Sequence, residues 1–155
     1  MISEGQPAPE FSGTTASGER LSLGDFRGKK PLILYFYPKD DTPGCTKEAC
    51  SFRDHRGEIE AAGAALVGVS MDSVESHQKF IDKYALPFSL LSDGEAIVSK
   101  AYGVYKPKNM YGKKYWGIER STFVIDKAGV ITASFRKVKV DSHVQDVLAA
   151  LQDQA

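Results

Sequence analysis

Residues 32–50 read LILYFYPKDDTPGCTKEAC, and the rest of the chain is organised around this stretch. Residues 32–37 are an uninterrupted β-prone apolar run that stops at Pro38, a pattern typical of a buried strand. After Pro43 the pattern becomes helical, so Cys45 is expected where a strand has ended and a helix begins. At such a junction free backbone N–H groups and the positive end of the helix dipole favour the reactive thiolate form of a cysteine.

The composition excludes several classes of protein. The chain has 155 residues, of which 42% are hydrophobic and 26% charged, which fits a single domain over residues 1–155. Lys+Arg and Asp+Glu number 20 each, and without a basic excess we expect no nucleic-acid partner. The apolar runs fall far short of the about 20 residues of a membrane helix, and the amino terminus does not resemble a secretory signal. We therefore expect a cytoplasmic protein with no membrane partner.

The cysteine count points to redox chemistry. The chain contains 2 cysteines and 3 histidines, too few for a disulfide scaffold, and the scattered histidines do not complete a zinc site, so no metal is expected. A pair of neighbouring cysteines in a reducing compartment is more often catalytic or redox-sensing than structural. Two ordinary buried thiols remain the alternative at this point.

Strands and helices alternate along the chain, which predicts an α/β fold. Strands are predicted at residues 31–37, 64–70, 87–91, 121–126 and 130–136, and helices at 44–62, 73–84, 97–102 and 142–152. Residues 1–19 are predicted to be an irregular N-terminal extension with a short hairpin through 11–14 and 20–22, and residues 105–117 a polar and aromatic loop. A βαβ unit followed by ββα is the thioredoxin arrangement, so we expect a thioredoxin-like central mixed sheet flanked by helices.

The spacing of Cys45 and Cys50 limits how they can react with each other. On an intact helix, residues five apart are separated by about 7.5 Å along the axis and about 140° around it. Their Cα atoms are then about 8–9 Å apart, beyond the limit of about 7 Å for a disulfide. A bond between them requires the first helical turns to unwind. This favours a two-stage enzyme, in which one thiol reacts and the other resolves the product, over a simple dithiol oxidoreductase.

A thiolate at Cys45 needs a cation from another part of the chain, because the charged residues near it in sequence include three acids. Arg120, at the start of the strand predicted at 121–126, is the best candidate, since that strand is expected to lie beside the first βα unit. A solvated residue at a strand edge is the alternative interpretation of Arg120. Thr42, three residues before the thiol, can place a hydroxyl beside the sulfur.

These residues resemble the signatures of the peroxiredoxin family. The P-x-x-x-T-x-x-C pattern at residues 38–45 resembles its active-site motif, and residues 39–54 are similar to the Q-type group, also called bacterioferritin comigratory proteins. The run RSTFVID at 120–126 resembles the second signature, around the family's arginine, and the opening GQ-x-AP-x-F at 5–11 also fits. The resemblance covers essentially the whole chain.

The resemblance implies a thiol peroxidase that needs neither a metal nor haem. Cys45 would attack hydrogen peroxide or an organic hydroperoxide and become a sulfenic acid. Cys50 would resolve it as an intramolecular disulfide, which thioredoxin or a glutaredoxin-type reductant would reduce. Because no cysteine lies in the C-terminal part of the sequence, resolution is expected to be internal, which is compatible with a monomer.

The resemblance also implies roles for four other residues. Pro38 would shield the thiol, and Thr42 would donate a hydrogen bond to the peroxide. Arg120 would orient the peroxide and stabilise negative charge on the sulfur and the leaving oxygen. Glu48 would hold Arg120 in place from behind.

Other interpretations remain open from the sequence alone. A protein dithiol–disulfide oxidoreductase is the main alternative function, and a redox-sensing or chaperone module is a third. The histidines His55, His77 and His143 are predicted to be ordinary surface or partly buried residues. The aromatic residues of the loop at 105–117 fit loop packing, an apolar wall near the thiol, or a docking face for the reductant.

Overall fold

The computed structural model describes residues 2–153, which form a seven-stranded sheet with helices packed on it and a separate two-stranded ribbon. The strands are β1 (Ser12–Thr15), β2 (Arg20–Ser22), β3 (Leu32–Phe36), β4 (Ala65–Ser70), β5 (Ser89–Ser92), β6 (Tyr105–Met110), β7 (Lys113–Ile118), β8 (Ser121–Ile125) and β9 (Ile131–Phe135). The helices are α1 (Pro43–Asp54), α2 (Arg56–Ala61), α3 (Val74–Tyr84), α4 (Ile97–Ala101) and α5 (His143–Gln152).

The predicted mixed sheet is confirmed, and β3 lies near its centre. The strand order is β2-β1-β5-β4-β3-β8-β9. β3 pairs in parallel with β4, and β4 with β5, whereas β8 runs antiparallel to β3 and to β9. Every residue of β3 is buried, as expected for a strand covered on both faces.

Two apolar clusters fill the two sides of the sheet. The even-numbered residues of β3 belong to one cluster, which also takes Val98 of α4, and the odd-numbered residues from 33 to 37 belong to the other, with α1, α3 and α5. This alternation is the period of two that a strand imposes on its side chains. Among the described residues, no helix combines the length and the apolar character needed to cross a membrane.

The N-terminal extension is part of the folded structure. The predicted short hairpin is present as β1 and β2, and β1 adds to the sheet beside β5. Upstream of it, the Gly5 N–H donates to the Ile131 carbonyl at 2.8 Å and the Ala8 N–H to the Gly129 carbonyl at 2.8 Å. These bonds tie residues 5–8 to the first residue of β9 and to the turn before it. Met1, the first residue of the predicted lead-in, lies outside the described residues.

The prediction of a loop at 105–117 is wrong, because β6 and β7 form a regular antiparallel hairpin. Its turn is made by Tyr111 and Gly112, both with positive φ (52° and 81°). A Tyr-Gly turn lacks the usual Asn-Gly signal. The hairpin pairs with no other described strand and much of it faces solvent, so it does not show the apolar alternation by which strands are recognised.

The predicted single helix at 44–62 is interrupted at His55, which separates α1 from α2. His55 adopts φ −103° and ψ 14°, and its Nδ1 lies 2.7 Å from the Ser51 carbonyl oxygen. The Ser51 carbonyl oxygen therefore meets the His55 ring in addition to the His55 N–H, which donates to it at 3.2 Å. Such local side-chain bonds leave no signal in the apolar pattern.

The prediction of surface or partly buried histidines is wrong for two of the three. His77 is 0% exposed and His143 is 3% exposed, whereas His55 is half-buried. His77 lies on the inner side of α3, a helix that begins as predicted after Ser73, whose Oγ accepts from the Ser76 N–H at 3.1 Å. Both buried histidines lie near the thiol site.

Gly68 in β4 tests how tightly the core beside β3 is packed. A Cβ at this position would lie 2.8 Å from Leu90 Cδ2 and 2.9 Å from the ring of Tyr35. We expect Gly68→Ala to lower the free energy of unfolding by about 1–3 kcal/mol through overpacking, measured by urea denaturation. Gly57→Ala in α2, where nothing lies within 4 Å, is the matched control and should stabilise by about 0.5–1 kcal/mol. Equal stability of the two variants would contradict this account.

Candidate active site

Cys45 is the third residue of α1 and is 2% exposed. Thr42 caps the helix in an extended conformation, with φ −104° and ψ 156°, and Pro43 occupies the first helical position. Proline suits that position because its missing N–H would have had no helical partner. The thiol therefore lies in the first turn, at the positive end of the helix dipole.

Arg120 lies next to the sulfur of Cys45. Its Nη2 is 3.2 Å from Cys45 Sγ, and its Nη1 donates to Glu48 Oε1 at 2.6 Å. The register of β3 and β8, with Phe36 opposite Ser121, brings the start of β8 to the end of β3, where the chain turns towards α1. The pairing of β3 with β8 thus brings Arg120 to Cys45, although the two residues are 75 positions apart in the sequence.

Gly44 allows the guanidinium to approach the helix terminus. A Cβ on residue 44 would lie 3.2 Å from Arg120 Nη2. That is close enough that the guanidinium would have to shift. The glycine beside Cys45 is therefore explained by the space that Arg120 occupies.

The other predicted site residues lie around this centre. The Thr42 hydroxyl donates to the Lys39 carbonyl at 2.8 Å, so in this structure it is bonded to the loop rather than placed on the sulfur. Pro38 is half-buried where the chain leaves β3. Cys50 is a partly exposed free thiol farther along α1, and Cys45 is also a free thiol.

The acidic residues before the helix are engaged away from the sulfur. Asp41, with φ 54°, accepts from Lys83 Nζ at 2.8 Å and from the Tyr84 hydroxyl at 2.7 Å. These two bonds hold the pKa of Asp41 below its ordinary value. Asp40 is buried and accepts from the Tyr37 hydroxyl at 2.5 Å, while its Oδ2 lies 2.7 Å from His77 Nδ1. Side chains of α3 therefore hold the loop in place, and they do so by bonding to the carboxylates of Asp40 and Asp41.

Asp40, Asp72 and His77 form the one group of potential metal ligands found among residues 2–153, with ligand atoms within 4.8 Å of one another. Their hydrogen bonds are already made within the protein. Asp72 Oδ2 accepts from the Asp40 N–H at 2.8 Å and from the Ser70 hydroxyl at 2.6 Å, and His77 Nε2 lies 3.1 Å from the Leu91 carbonyl oxygen. We interpret the group as a network that holds the loop before α1.

Glu48 is fully buried behind Arg120, and its position reveals a residue that the sequence reasoning missed. Burial raises the pKa of Glu48 to about 7, against the opposing effect of Arg120. His143, at the start of α5, places Nε2 3.8 Å from Glu48 Oε2 and 2.8 Å from the Thr122 hydroxyl. His143 lies four residues before Val147, which is on the apolar face of α5, and residues four apart share a helix face. This spacing was the sequence signal that His143 faces the core.

A second cation lies near the thiol. Burial and the charge of Arg120 lower the pKa of Lys108, and the charge of Cys45 acts in the opposite direction. Lys108 belongs to β6, so the hairpin of β6 and β7 reaches the neighbourhood of the site.

A cysteine at a helix N-terminus with an arginine on its sulfur is the arrangement of an activated thiol nucleophile. The model of the AhpC/TSA family matches residues 4–134, and the chain belongs to this family.

Individual relatives narrow the assignment. The chain is 58% identical over 150 residues to a putative peroxiredoxin Bcp of Coxiella burnetii, covering 97% of this chain and 99% of the relative. It is 49% identical over 152 residues to peroxiredoxin Bcp of Bacillus subtilis, covering 98% and 96%. The solved structure of the bacterioferritin comigratory protein of Xanthomonas campestris superposes with a TM-score of 0.88 at 44% identity, covering 93% of this chain and 91% of that one.

These likenesses make the protein a peroxiredoxin of the Bcp or Q type, a thiol peroxidase that reduces peroxides with electrons from a thiol reductant. The resemblance seen in the sequence is confirmed, and the peroxidase is favoured over the dithiol–disulfide oxidoreductase.

Gly44→Ala should slow the reaction of the reduced protein with peroxide while leaving the fold intact. The added methyl group displaces the guanidinium by a few tenths of an ångström, and since misplacement by about 1 Å can cost about 10²-fold in rate, we expect a loss of roughly two- to tenfold. Stopped-flow mixing of the reduced variant with hydrogen peroxide measures the effect. Gly57→Ala serves again as the control, and an unchanged rate in Gly44→Ala would show that the position of Arg120 does not matter.

Proposed function

We propose that Cys45 is the peroxidatic nucleophile. Its thiolate attacks one oxygen of the peroxide, so that an S–O bond forms as the O–O bond breaks. The sulfur is oxidised to a sulfenic acid, and the leaving oxygen takes up a proton to become water or an alcohol. The observation that carries this proposal is the 3.2 Å contact between Cys45 Sγ and Arg120 Nη2.

Arg120 stabilises negative charge in the ground state and in the transition state of the reaction. In the ground state its positive charge compensates the thiolate within a buried site, where electrostatic interactions are stronger than in water. In the transition state negative charge moves towards the leaving oxygen, and a guanidinium held in advance stabilises that charge without reorganising. Its 15% exposure supports this role, because little solvent screens it.

Three further residues complete the proposed site. Glu48 holds the guanidinium through its 2.6 Å bond, as a positioning residue. Thr42 turns its hydroxyl from the Lys39 carbonyl to the bound peroxide, a rotation about one side-chain bond. Pro38 shields the thiol from bulk water at the point where the chain leaves β3.

We propose that Cys50 resolves the sulfenic acid. Its thiolate attacks Cys45 Sγ, so that an S–S bond forms as the S–O bond breaks and the oxygen leaves as water after taking up a proton. Because both residues belong to α1, the helix has to unwind for the sulfurs to meet. Cys45, Glu48, Ala49 and Phe52 are the buried residues of α1 and would leave their contacts in this step.

Thioredoxin or a glutaredoxin-type protein is proposed to return the enzyme to the dithiol state by thiol–disulfide exchange, which supplies the two electrons that the peroxide consumed. The Xanthomonas campestris relative has alkyl peroxide reduction activity, which supports organic hydroperoxides as substrates beside hydrogen peroxide. We further propose that residues 1–155 act as one domain, as a monomer in the cytoplasm.

Cys45→Ser should abolish peroxide reduction. In the wild type, stopped-flow mixing with hydrogen peroxide should oxidise Cys45 at least about a hundredfold faster than free cysteine, since one positioned electrostatic group contributes about 10²–10³ in rate. A wild-type rate equal to that of free cysteine would refute the proposed nucleophile. Retention of turnover by Cys45→Ser would do the same.

Cys50→Ser should keep the first oxidation and lose recycling. We expect one equivalent of sulfenic acid to persist on Cys45, trapped by dimedone and located by mass spectrometry, with turnover on thioredoxin strongly reduced. Ser51→Ala on the same helix is the control and should show the Cys45–Cys50 disulfide after one equivalent of peroxide. Normal recycling in Cys50→Ser, without a lasting sulfenic acid, would exclude Cys50 as the resolving thiol.

A further inference from the structure

The side chain of Glu48 is 0% exposed, yet its two oxygens differ in their surroundings. Oε1 accepts from Arg120 Nη1 at 2.6 Å, whereas Oε2 has no hydrogen-bond partner within residues 2–153. A buried carboxylate with an unpaired oxygen is costly, because no donor within residues 2–153 compensates its charge for the loss of bulk water. A carboxylic acid with its proton on Oε2 avoids most of that cost.

His143 does not supply the missing positive charge. An imidazolium facing a carboxylate closes to about 2.7–2.9 Å, but His143 Nε2 lies 3.8 Å from Glu48 Oε2. The same nitrogen is 2.8 Å from the Thr122 hydroxyl, which can donate to an unprotonated Nε2. The rings of Phe52 and Phe135 meet the imidazole edge-on, at 6.2 Å and 5.5 Å between centroids. These surroundings suit a neutral imidazole.

The charges around Arg120 also favour a protonated Glu48. With Cys45 as thiolate and Glu48 as carboxylate, two buried anions would share one guanidinium. Tyr35, whose hydroxyl is also buried without a hydrogen-bond partner among the described residues, offers no positive charge. With the proton on Glu48, one cation faces one anion.

We propose that Glu48 is the proton-holding group of the reduced active site: it keeps a proton on Oε2 beside a neutral His143, and this leaves the whole charge of Arg120 to the Cys45 thiolate. The inference rests on the proposed role of Cys45 as nucleophile and deepens it. Glu48 and His143 act through Arg120 and are positioning residues.

The electrostatics of the cluster support the assignment. Burial raises the pKa of Glu48 to about 7 and lowers the pKa of His143 to about 4. The titratable and charged groups around the pair are Tyr35 on β3, Cys45 on α1, Arg120 before β8, Asp146 on α5 and, farther out, Lys108 on β6. Of these, Arg120 opposes the upward shift at Glu48, and burial outweighs it.

Loss of the proton from Glu48 changes the reaction without removing a reacting group. The guanidinium then faces two anions, and the thiolate and the leaving oxygen each receive less of its charge. We therefore expect the oxidation rate constant of the thiolate to fall several-fold as the pH rises through about 7. In Glu48→Gln, whose neutral amide cannot lose a proton, this fall should disappear from the pH profile.

The protonation of Glu48 can be measured directly in the reduced protein by the carboxyl ¹³C chemical shifts of its glutamates, with Glu48→Gln for assignment. We expect the Glu48 signal to titrate near pH 7, and titration near the ordinary value of 4.5 would overturn the proposal. Glu58→Gln, on the exposed side of α2, is the control and should leave the Glu48 signal in place. The readout does not depend on turnover. A slow reaction with peroxide would refute the proposed function and leave the location of the proton measurable.

The variant His143→Gln tests whether the imidazole of His143 is neutral or charged in the wild type. A neutral amide in place of a neutral imidazole should shift the Glu48 titration by less than about one pH unit, a change of under about tenfold in the proton equilibrium. If His143 were an imidazolium, its loss would raise that titration by more, and the proposal would fail. Should this variant not fold, ring ¹⁵N signals of wild-type His143 decide, because an imidazolium at pH 7 refutes the proposal and an unprotonated Nε2 supports it.

Stability provides an independent readout. The folded protein holds the Glu48 proton more tightly than the unfolded chain, so the stability that this proton contributes is complete below pH 4.5 and is lost as the pH rises to about 7. Urea denaturation should show the wild type losing stability across this interval relative to Glu48→Gln. Parallel curves for the two proteins would overturn the proposal.

Discussion

The guanidinium of Arg120 bonds to two partners at once, Cys45 Sγ at 3.2 Å and Glu48 Oε1 at 2.6 Å, and the arrangement of the fold serves this contact. β3 leads to the loop before α1, and β8 pairs with β3 so that Arg120 arrives at the same end of the sheet. Because β3 is buried on both faces, a shift of its register by one residue would exchange its two apolar clusters. The position of the cation is thus determined by the packing of the core.

The loop between β3 and α1 is held separately from the helix that follows it. Asp40 bonds to Tyr37, Ser76 and His77, and Asp41 to Lys83 and Tyr84, so these attachments are made to α3 and to the end of β3. α1 is held by apolar contacts, by the bonds of Arg120 to Cys45 and Glu48, by the ion pair of Lys47 with Asp141, and by the bond of Arg53 to the Tyr84 carbonyl. The proposed unwinding of α1 therefore has a fixed boundary at the helix N-cap, and the contacts of the loop need not be broken.

The local sequence pattern identified the elements that are marked by their own residues, either by an apolar run or by a helix-start signal. The apolar run of β3, the cysteine at the helix start and the strand after Arg120 are all visible in the sequence, and the family motifs raised Arg120 above other cations. The hairpin of β6 and β7 was missed because it lacks a buried face, and the break at His55 because it lies in the backbone conformation of one residue and leaves the apolar pattern unchanged. His143 was missed because its partner, Glu48, is 95 positions away, and only the packing of α5 on α1 brings the two together.

The hairpin of β6 and β7 gives the protein an asymmetric distribution of charge. It contains four lysines and no aspartate or glutamate, while the whole chain has equal numbers of acids and bases, so the remainder carries an excess of four acidic residues. The hairpin is thus a local source of positive field, and the charges of Arg120 and Cys45 act on one of its lysines, Lys108. At physiological ionic strength such a field reaches only about 8 Å. Within that distance the field would attract an anionic hydroperoxide, whereas neutral hydrogen peroxide would not respond to it.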